Sequence, residues 1–471
     1  MKKINSSKPY VKLTQGQGKN WAEREFGTAE LGDQRLNKRL TMIANFFTNN
    51  PTLSIPQVCG SWKVTKATYR FFDNDRVKEK EIQAPHLNAT EKRGANQTTV
   101  LSIQDTTQLD FTHHPSTKGL GLLSDQSHFG LFYHPTLLLT PDKIPLGIIN
   151  QQVWIRPAED FGKRDQRKKR PISKKESQKW LTSLEETAKL QEKMSSVHFI
   201  NIGDREADIF DLFLESKNLR IDILVRAAWN RCVEHPEKYL WDHMKQVPIF
   251  GHITITVPRK KGQPHREAIL SIRYDKISLK PPKHRCKEKE LKPVTVWAVW
   301  AHESDSPDGV EPISWMLLTT IPVHSFEEAL EKVQWYTCRW QIEIFFKILK
   351  SGCRIEEIQL ATAERIKRCL ALYAIIAWRV LFLTMVSRNI PKMPCDVLLE
   401  LEEWQALYCF INQTKTPPSE PPTLMKATRM IARLGGFLGR KHDGHPGPTV
   451  IWRGLQRLSD IASAWSLARS P

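Results

Sequence analysis

The sequence predicts an α/β chain. Its core carries a mixed sheet covered by helices, an all-β segment is inserted in that core, and helical domains flank it. Three observations predict this. Between about residues 97 and 226, β-branched apolar runs alternate with amphipathic helical runs. From about 233 to 325 strand-like runs follow one another, separated by basic and proline-rich turns. Helical periodicity returns at Phe326 and dominates the remainder. The 471 residues exceed one compact unit and imply two or three domains. We expect an N-terminal helical domain over 1–85, a core over 86–390 with the insertion at about 233–325, and a C-terminal helical domain over 391–471.

Composition narrows the partner. The formal charge is +19, from 70 Lys and Arg against 51 Asp and Glu. Such a surplus favours a polyanion, most often nucleic acid, although a generally basic protein shares the composition. Fifteen tryptophans offer flat faces for stacking on bases as well as core volume. Eight cysteines occur without a C-x-x-C pair, and "KHRCK" around Cys286 lacks partners at metal-ligand spacing. This usage fits reduced thiols in a cytoplasmic protein. The opening "MKKINSSKPYVKLTQ" lacks the apolar core of a signal peptide. The run "CLALYAIIAWRVLFLTMV", Cys369 to Val386, is long enough to span a membrane. Arg379 near its middle makes it a buried helix instead, so no membrane partner is expected.

Along the chain, Trp21 to about Val77 reads as short helices. In "TAELGDQRLNKRLTMIANFFT", Leu31, Leu36, Leu40 and Ile43 recur near helical spacing, with Arg35, Lys38 and Arg39 on other faces. A small basic helical unit of this kind suits docking on DNA; its plain alternative is a subdomain with a solvated basic side. "TTVLSIQDTTQLDF", "LFYHPTLLLT" and "IPLGIINQQVWIR" read as strands, the last two joined by the turn "PDKIP". A dense basic loop, "KRDQRKKRPISKK", covers Lys163 to Lys175, and a helix follows from about Glu176 to Lys193. "VHFINIGDREADIFDLFLES" is a short buried strand ending at a glycine, then a helix; "RIDILVRAAW" is a strand ending at Arg226. "HITITVP", "EAILSIRY", "DKISLK" and "VTVWAVWAHE" make the separate all-β segment. After the helices that begin at Phe326, "NQTKTPPSEPP" is a linker, and Leu424 to Ala468 is helical around a glycine-rich centre.

With the insertion set aside, this order is the ribonuclease-H-like α/β pattern. That fold gathers acidic side chains at strand ends. Asp105 follows "VLSIQ", Asp204 follows "HFINIG", and Glu343 lies on the later helix. Three carboxylates together would hold two divalent cations, magnesium or manganese, because hard oxygen ligands suit them. Such a pair, roughly 3.5–4 Å apart, clamps the attacking and leaving oxygens of a phosphoryl transfer. Each residue also has a structural alternative. Asp110 competes with Asp105, which fits a turn. Asp204 fits a helix cap, with Glu206 and Asp208 as first-turn charges matching the helix dipole.

The helix "YTCRWQIEIFFKILK" adds a second signal. At about 100° per residue, Tyr336, Arg339, Glu343, Lys347 and Lys350 fall within roughly 80° of arc. Cys338, Ile342, Phe345, Phe346 and Leu349 form an apolar stripe beside them. Alone, the polar row equally fits a solvated i,i+4 ladder.

The motifs "IQDTT", "DREADI" and Y-x2-R-x3-E-x6-K (Tyr336, Arg339, Glu343, Lys350) resemble the DDE transposases of the insertion-sequence-four family, Tn-five type. "ELGDQRLNKRL", "ATYRFFDN", "ISWMLLTTIPV" and the terminal "LGGFLGRK…WRGLQRL" extend the resemblance over nearly the whole chain. It implies catalytic Asp105, Asp204 and Glu343 binding Mg2+, with Mn2+ as a substitute. It implies that Tyr336, Arg339 and Lys350 hold the phosphates of a transposon end, assisted by Arg226, with Lys347 on the same row. Trp315 would stack on a base flipped out as a DNA hairpin forms, although it also fits the core of the insertion. Arg35 and Arg39 would touch the end sequence, and the C-terminal helices would join two protomers into a homodimer. Arg205 fits an ion pair or a DNA contact. Loop 163–175, longer and more basic than the family's, would follow phosphate backbone; its plain alternative is a disordered loop. The expected activity is cut-and-paste transposition of double-stranded DNA, through end cleavage, a hairpin and joining to target DNA. Its rivals are a non-catalytic DNA-binding regulator of the same fold and a ribonuclease-H-like nuclease.

Overall fold

The β-branched runs become strands where the sequence places them, and their pairing sorts the chain into two compact units. The computed structural model describes residues 20–125, 127–157, 171–257, 266–282, 285 and 291–469. One unit is drawn from residues 98–105 and 163–340, the other from 1–97, 106–162 and 341–471. Strands are numbered along the chain.

In the unit of 98–105 and 163–340, β1 (Thr99–Gln104), β6 (His198–Gly203) and β7 (Asp222–Arg226) are parallel neighbours. Their central residues are buried, as continuous apolar runs in parallel strands require. Helix Phe210–Leu219 joins β6 to β7, and helix Gln178–Lys193 precedes β6. Trp180, Leu184 and Phe213 from these helices share one apolar cluster with Ile223, Val225, Val296 and Leu318 from the strands.

The sheet continues from β7 into β11 (Ser314–Thr319), antiparallel, with Leu317 opposite Arg226. β10 (Val294–Glu303), β9 (Arg266–Leu279) and β8 (Gly251–Val257) follow in that order. The all-β insertion is therefore not a separate segment, as the sequence reading had it. Its last strand covers the hydrogen-bonding edge that β7 would otherwise leave open. "EAILSIRY" and "DKISLK" are also one 14-residue strand rather than two. Its charged centre stays paired, with Asp275 opposite Ala298 and Lys276 opposite Trp297. Lys276 is exposed and lies 5.8 Å from the Trp297 ring, so the charge remains solvated without breaking the ladder. Helix Leu240–Gln246 interrupts the insertion as well.

In the other unit, β4 (Phe129–Leu139) pairs antiparallel with β2 (Thr107–Asp110), β3 (Gly121–Leu122) and β5 (Pro145–Trp154). The apolar run from Cys369 lies in helix Ala363–Asn389, long and apolar enough to cross a membrane but buried inside the protein. Arg379 rests on the Trp21 ring at 4.6 Å. The C-terminal helices Leu401–Asn412, Leu424–Leu434 and Pro448–Arg469 pack together in the same unit. A Cβ at Gly454 would lie 1.8 Å from the Ile431 carbonyl oxygen, so this helix crossing demands glycine. The described cysteines are free thiols.

A buried ion cluster ties the helix Trp21–Phe26 into this unit. Arg93 donates two hydrogen bonds to the Glu25 carboxylate, at 3.0 and 2.9 Å, and a third to the Leu146 carbonyl. His86 Nε2 accepts the Ile148 N–H at 2.9 Å, which leaves Nδ1 as the donor to Glu25. The Arg93 guanidinium also lies 4.3 Å from the Trp378 ring. Burial pushes the Glu25 carboxyl up, but Arg93 and His86 outweigh it and hold it at about 2. A carboxylate depressed in this way stabilises the fold above its unfolded value of 4.5 and stops doing so as pH falls through about 2. Replacing Glu25 by Gln leaves Arg93 as an uncompensated buried charge and is expected to cost about 3–5 kcal/mol at pH 7. Urea titrations measure this, and the variant's stability should change less with acidification than the wild type's. Equal stability of the two at pH 7 would show that the cluster is not the tie.

Candidate active site

Strand register assembles the site in the unit of 98–105 and 163–340. Ile103 of β1 stands opposite Ile202 of β6. Two residues further along each parallel strand, Asp105 comes level with Asp204, both just past the carboxyl ends. β7 runs parallel to β6 and ends at the same edge with Arg226. β11 is antiparallel to β7 and begins there, at Ser314 and Trp315. Backbone pairing alone therefore gathers Asp105, Asp204, Arg226 and Trp315 at one edge, the edge where open α/β sheets place ligands.

The glycine before Asp204 is a steric requirement. A Cβ on Gly203 would sit 2.3 Å from the Ala207 Cβ. Asp204 then caps the turn Arg205–Ala207, its Oδ1 accepting the Glu206 N–H at 2.8 Å. The cap and the strand-end carboxylate are thus one residue in both roles. Burial raises the Asp204 carboxyl above its usual value; Arg339 and Lys179 oppose that only in part. Glu206 is exposed and pairs with Lys179 at 3.2 Å, and Arg205 is exposed.

Arg339 donates to the Asp105 carboxylate at 2.9 Å. Tyr336 is buried, 6% exposed, rather than part of a polar row. Its ring meets Trp315 edge to face at 5.9 Å, and its hydroxyl bonds Arg226. Burial raises the phenol's pKa, while Arg339 and Arg226 lower it. Arg226 also donates to the Ser314 carbonyl at 3.0 Å. Trp315 is half-buried, so its indole is neither fully core nor fully free.

The predicted single helical row is broken. The backbone tightens at Arg339, whose N–H bonds the Tyr336 carbonyl at 3.1 Å between helices Phe326–Cys338 and Trp340–Lys347. A π turn follows at Ile348–Gly352, closed by Cys353 N–H to the Ile348 carbonyl at 2.8 Å. The wider turn shifts the phase of Lys350 from that of the residues before it. The apolar stripe is buried as expected.

The remaining candidates belong to the other unit. Glu343 is half-buried on helix Trp340–Lys347, and Lys347 is exposed in its last turn. Lys347 lines an open hollow with Arg354, Trp452 and Arg453. Lys350 donates to the Gln108 carbonyl and pairs with Glu356 at 3.1 Å. Asp110, the rival to Asp105, takes the Thr112 N–H and hydroxyl at 2.9 and 2.6 Å, which marks it as a turn residue. Arg35 is exposed in the first turn of helix Gln34–Asn49, and Arg39 is half-exposed one turn on. Residues 163–170 and Cys286 lie outside the described residues; Ile172–Lys174 of the basic loop forms a 3-10 turn.

Asp208 was misread from sequence as a first-turn charge. It is 3% exposed and accepts from the backbone N–H of Ala228 and Trp229, and from Arg231. The available signal was its apolar setting between Ala207 and Ile209–Phe210, which an exposed helix start would not need.

Among the described residues, no group of three or more His, Cys, Asp or Glu side chains stands clustered as a metal site. The two aspartates at the sheet edge nevertheless supply the oxygen donors that hard cations take.

Three family models match the chain. A transposase DNA-binding domain covers residues 18–77, a transposase DDE domain 146–379, and a transposase Tn5 dimerisation domain 375–471. The chain belongs to the Tn5-type DDE transposases. The transposase is thus a DNA-binding enzyme that dimerises, and its DDE domain implies a divalent metal cofactor. Its ribonuclease-H-like core carries the edge described above.

The Tyr336 contacts separate ring from hydroxyl. Tyr336→Phe should cost this transposase about 1 kcal/mol, one hydrogen bond, whereas Tyr336→Ala should cost about 3–5 kcal/mol. Urea unfolding followed by tryptophan fluorescence reads both. Equal losses would show that the Arg226 bond, not the packing on Trp315, holds the ring.

Proposed function

We propose that this transposase binds the terminal inverted repeats of a mobile element, cleaves the ends and joins them to target DNA by a hairpin cut-and-paste route. What supports the reading most is the level placement of Asp105 and Asp204 at adjoining strand ends. Glu343 follows Arg339, the partner of Asp105, by four residues in the chain, as in the R-x3-E of the family motif. Asp105, Asp204 and Glu343 are the proposed catalytic set. Held there, magnesium, or manganese in its place, would supply a water or 3′-hydroxyl of lowered pKa and charge for the departing oxygen.

The chain's own residues do the rest. Arg339 exchanges Asp105 for an end phosphate, since a guanidinium fits either anion bidentately. Arg226 and Tyr336, already hydrogen-bonded to each other, hold the next phosphate oxygens. Lys347 and Lys350 add point charges, and Trp315 takes the face of the flipped base. Arg35 and Arg39 read the end sequence. Within this reading the segment 1–85 docks on the ends, 86–390 with its insertion at 233–325 carries out the chemistry, and 391–471 pairs two protomers in a cytoplasmic synaptic complex. Loop 163–175 follows phosphate backbone.

One observation favours the runner-up, a non-catalytic DNA-binding regulator: Arg339 occupies the Asp105 carboxylate. A plasmid carrying the element's ends, incubated with the protein and magnesium, decides between them. Nicking at the ends with a 3′-hydroxyl that joins target DNA is the expected result, and Glu343→Gln should abolish it while leaving end binding nearly unchanged. Cleavage by that variant would remove Glu343 from the set, and wild type that binds ends without nicking them would establish the regulator. Replacing both Lys168 and Lys169 by Ala should flatten the slope of log affinity against log salt by about 2, since each lost phosphate contact removes roughly 0.9. An unchanged slope would take that loop out of the DNA footprint.

A further inference from the structure

A tryptophan beside this edge has no part in the site so far. Trp229 is 67% exposed, three residues beyond Arg226. Its loop is pinned at every step. The Ala227 N–H donates to the Met316 carbonyl at 2.8 Å. Ala228 and Trp229 donate their N–H groups to Asp208 Oδ2 at 2.8 and 3.1 Å. Asn230 Oδ1 accepts the Trp241 N–H at 2.9 Å, and the Arg231 carbonyl accepts the Leu240 N–H at 2.9 Å. Arg231 itself donates to Asp208 Oδ1 at 2.7 Å. A buried carboxylate that fixes two backbone amides and an arginine is an expensive way to order a surface loop. The one large group the loop leaves in water is an indole, whose burial would be favourable.

Position and charge identify what covers it. Antiparallel pairing continues past β7 through the Ala227–Met316 bond, which brings the loop to the start of β11, where Trp315 stands. Asp204, Arg226 and the exposed Arg205 lie at the same end of the strands. We infer that Trp229 is a second base-stacking residue, held by Asp208 and Arg231 to take the face of an unpaired DNA base beside the one assigned to Trp315. The inference rests on the transposase reading above, in which DNA ends reach this edge and are unpaired there. A planar aromatic group without hydrogen-bond readout accepts any base, so the contact is blind to sequence and selects for an open strand. Asp208 is a positioning residue in this account: it touches no DNA and sets the angle of the indole.

The test uses the full chain and two synthetic duplexes of about 20 base pairs, one fully paired and one ending in a few unpaired thymidines. Trp229→Ala should weaken binding of the frayed duplex about tenfold and leave the paired duplex unchanged. Trp229→Phe should recover most of the loss, because a smaller ring still stacks. Asp208→Asn should weaken the frayed duplex part-way with the far-UV circular dichroism intact, since the loop is loosened but the indole remains. Equal affinity of wild type and Trp229→Ala for the frayed duplex would overturn the inference. So would an equal drop on both duplexes, or a Phe variant no better than Ala, each of which points to packing instead of stacking. These readouts need no cleavage. End nicking by the wild type combined with any of these failures would sink the Trp229 assignment alone, whereas absence of nicking at the ends sinks the parent reading.

Discussion

The parallel register of β1, β6 and β7 is the constraint on which the site depends. Asp105, Asp204 and Arg226 come from distant parts of the sequence and meet only because these strands end level. A slip of one residue would turn each side chain to the opposite face. The register has an internal check. Gln104 and Asn201, both fully buried, are joined by a side-chain hydrogen bond of 2.6 Å just before the aspartates. Ser102 of β1 is tied in the same way to Thr187 of the covering helix at 2.8 Å. A slip would strand these groups without partners in a low-dielectric core, at about 1–3 kcal/mol for each. Polar pairs of this sort add little net stability but make alternative alignments costly.

How much was legible follows from which forces act locally. Strands β1, β6 and β7 announce themselves as short apolar runs, and an acidic residue directly after such a run is readable as a strand-end carboxylate. Asp105 and Asp204 were therefore recoverable from sequence alone. Tyr336 was not. Its place in the chain fits a polar row, but the ring is buried and meets Trp315, some twenty residues earlier on a strand. The place of Lys350 on the projected row was lost for a backbone reason. A π turn leaves no mark in composition, and the extra residue spoils the periodicity from which the row was projected. The insertion looked separate because its strands alternate in a different texture, yet sheet membership is decided by hydrogen bonds that composition does not encode. The Glu25 cluster was equally hidden, since its members are far apart in sequence and each looks like an ordinary surface charge.

The contrast between Asp204 and Asp208 shows how two acids four residues apart come to different uses. Asp204 keeps a place at the sheet edge and spends one oxygen on its own turn. Asp208 is drawn inward and takes two backbone amides and a guanidinium. Full satisfaction makes Asp208 inert and rigid, which suits a buttress. Partial satisfaction with a pKa raised by burial leaves Asp204 responsive to added positive charge, which suits a ligand for a cation. The "DREAD" motif is thus a strand-end acid and a buried buttress, separated by one tight turn that only Gly203 permits.

Charge balance at the edge gives this arrangement its direction. Two carboxylates stand level, and Arg339 lies against one of them while also lowering the other. One guanidinium is thus shared between two acids. Arg226 is already spoken for by Tyr336 and the Ser314 carbonyl, so it cannot swing toward the two acids without giving up both. Lys179 is likewise drawn to Glu206. On the proposed reading, Asp105 would hold a divalent cation in place of Arg339, and the cation would supply the charge that the guanidinium now gives. A freed guanidinium beside a newly cationic centre is a site for phosphate. On this logic cation and DNA binding reinforce each other. On that reading the ion pair would be a placeholder that keeps Asp105 oriented.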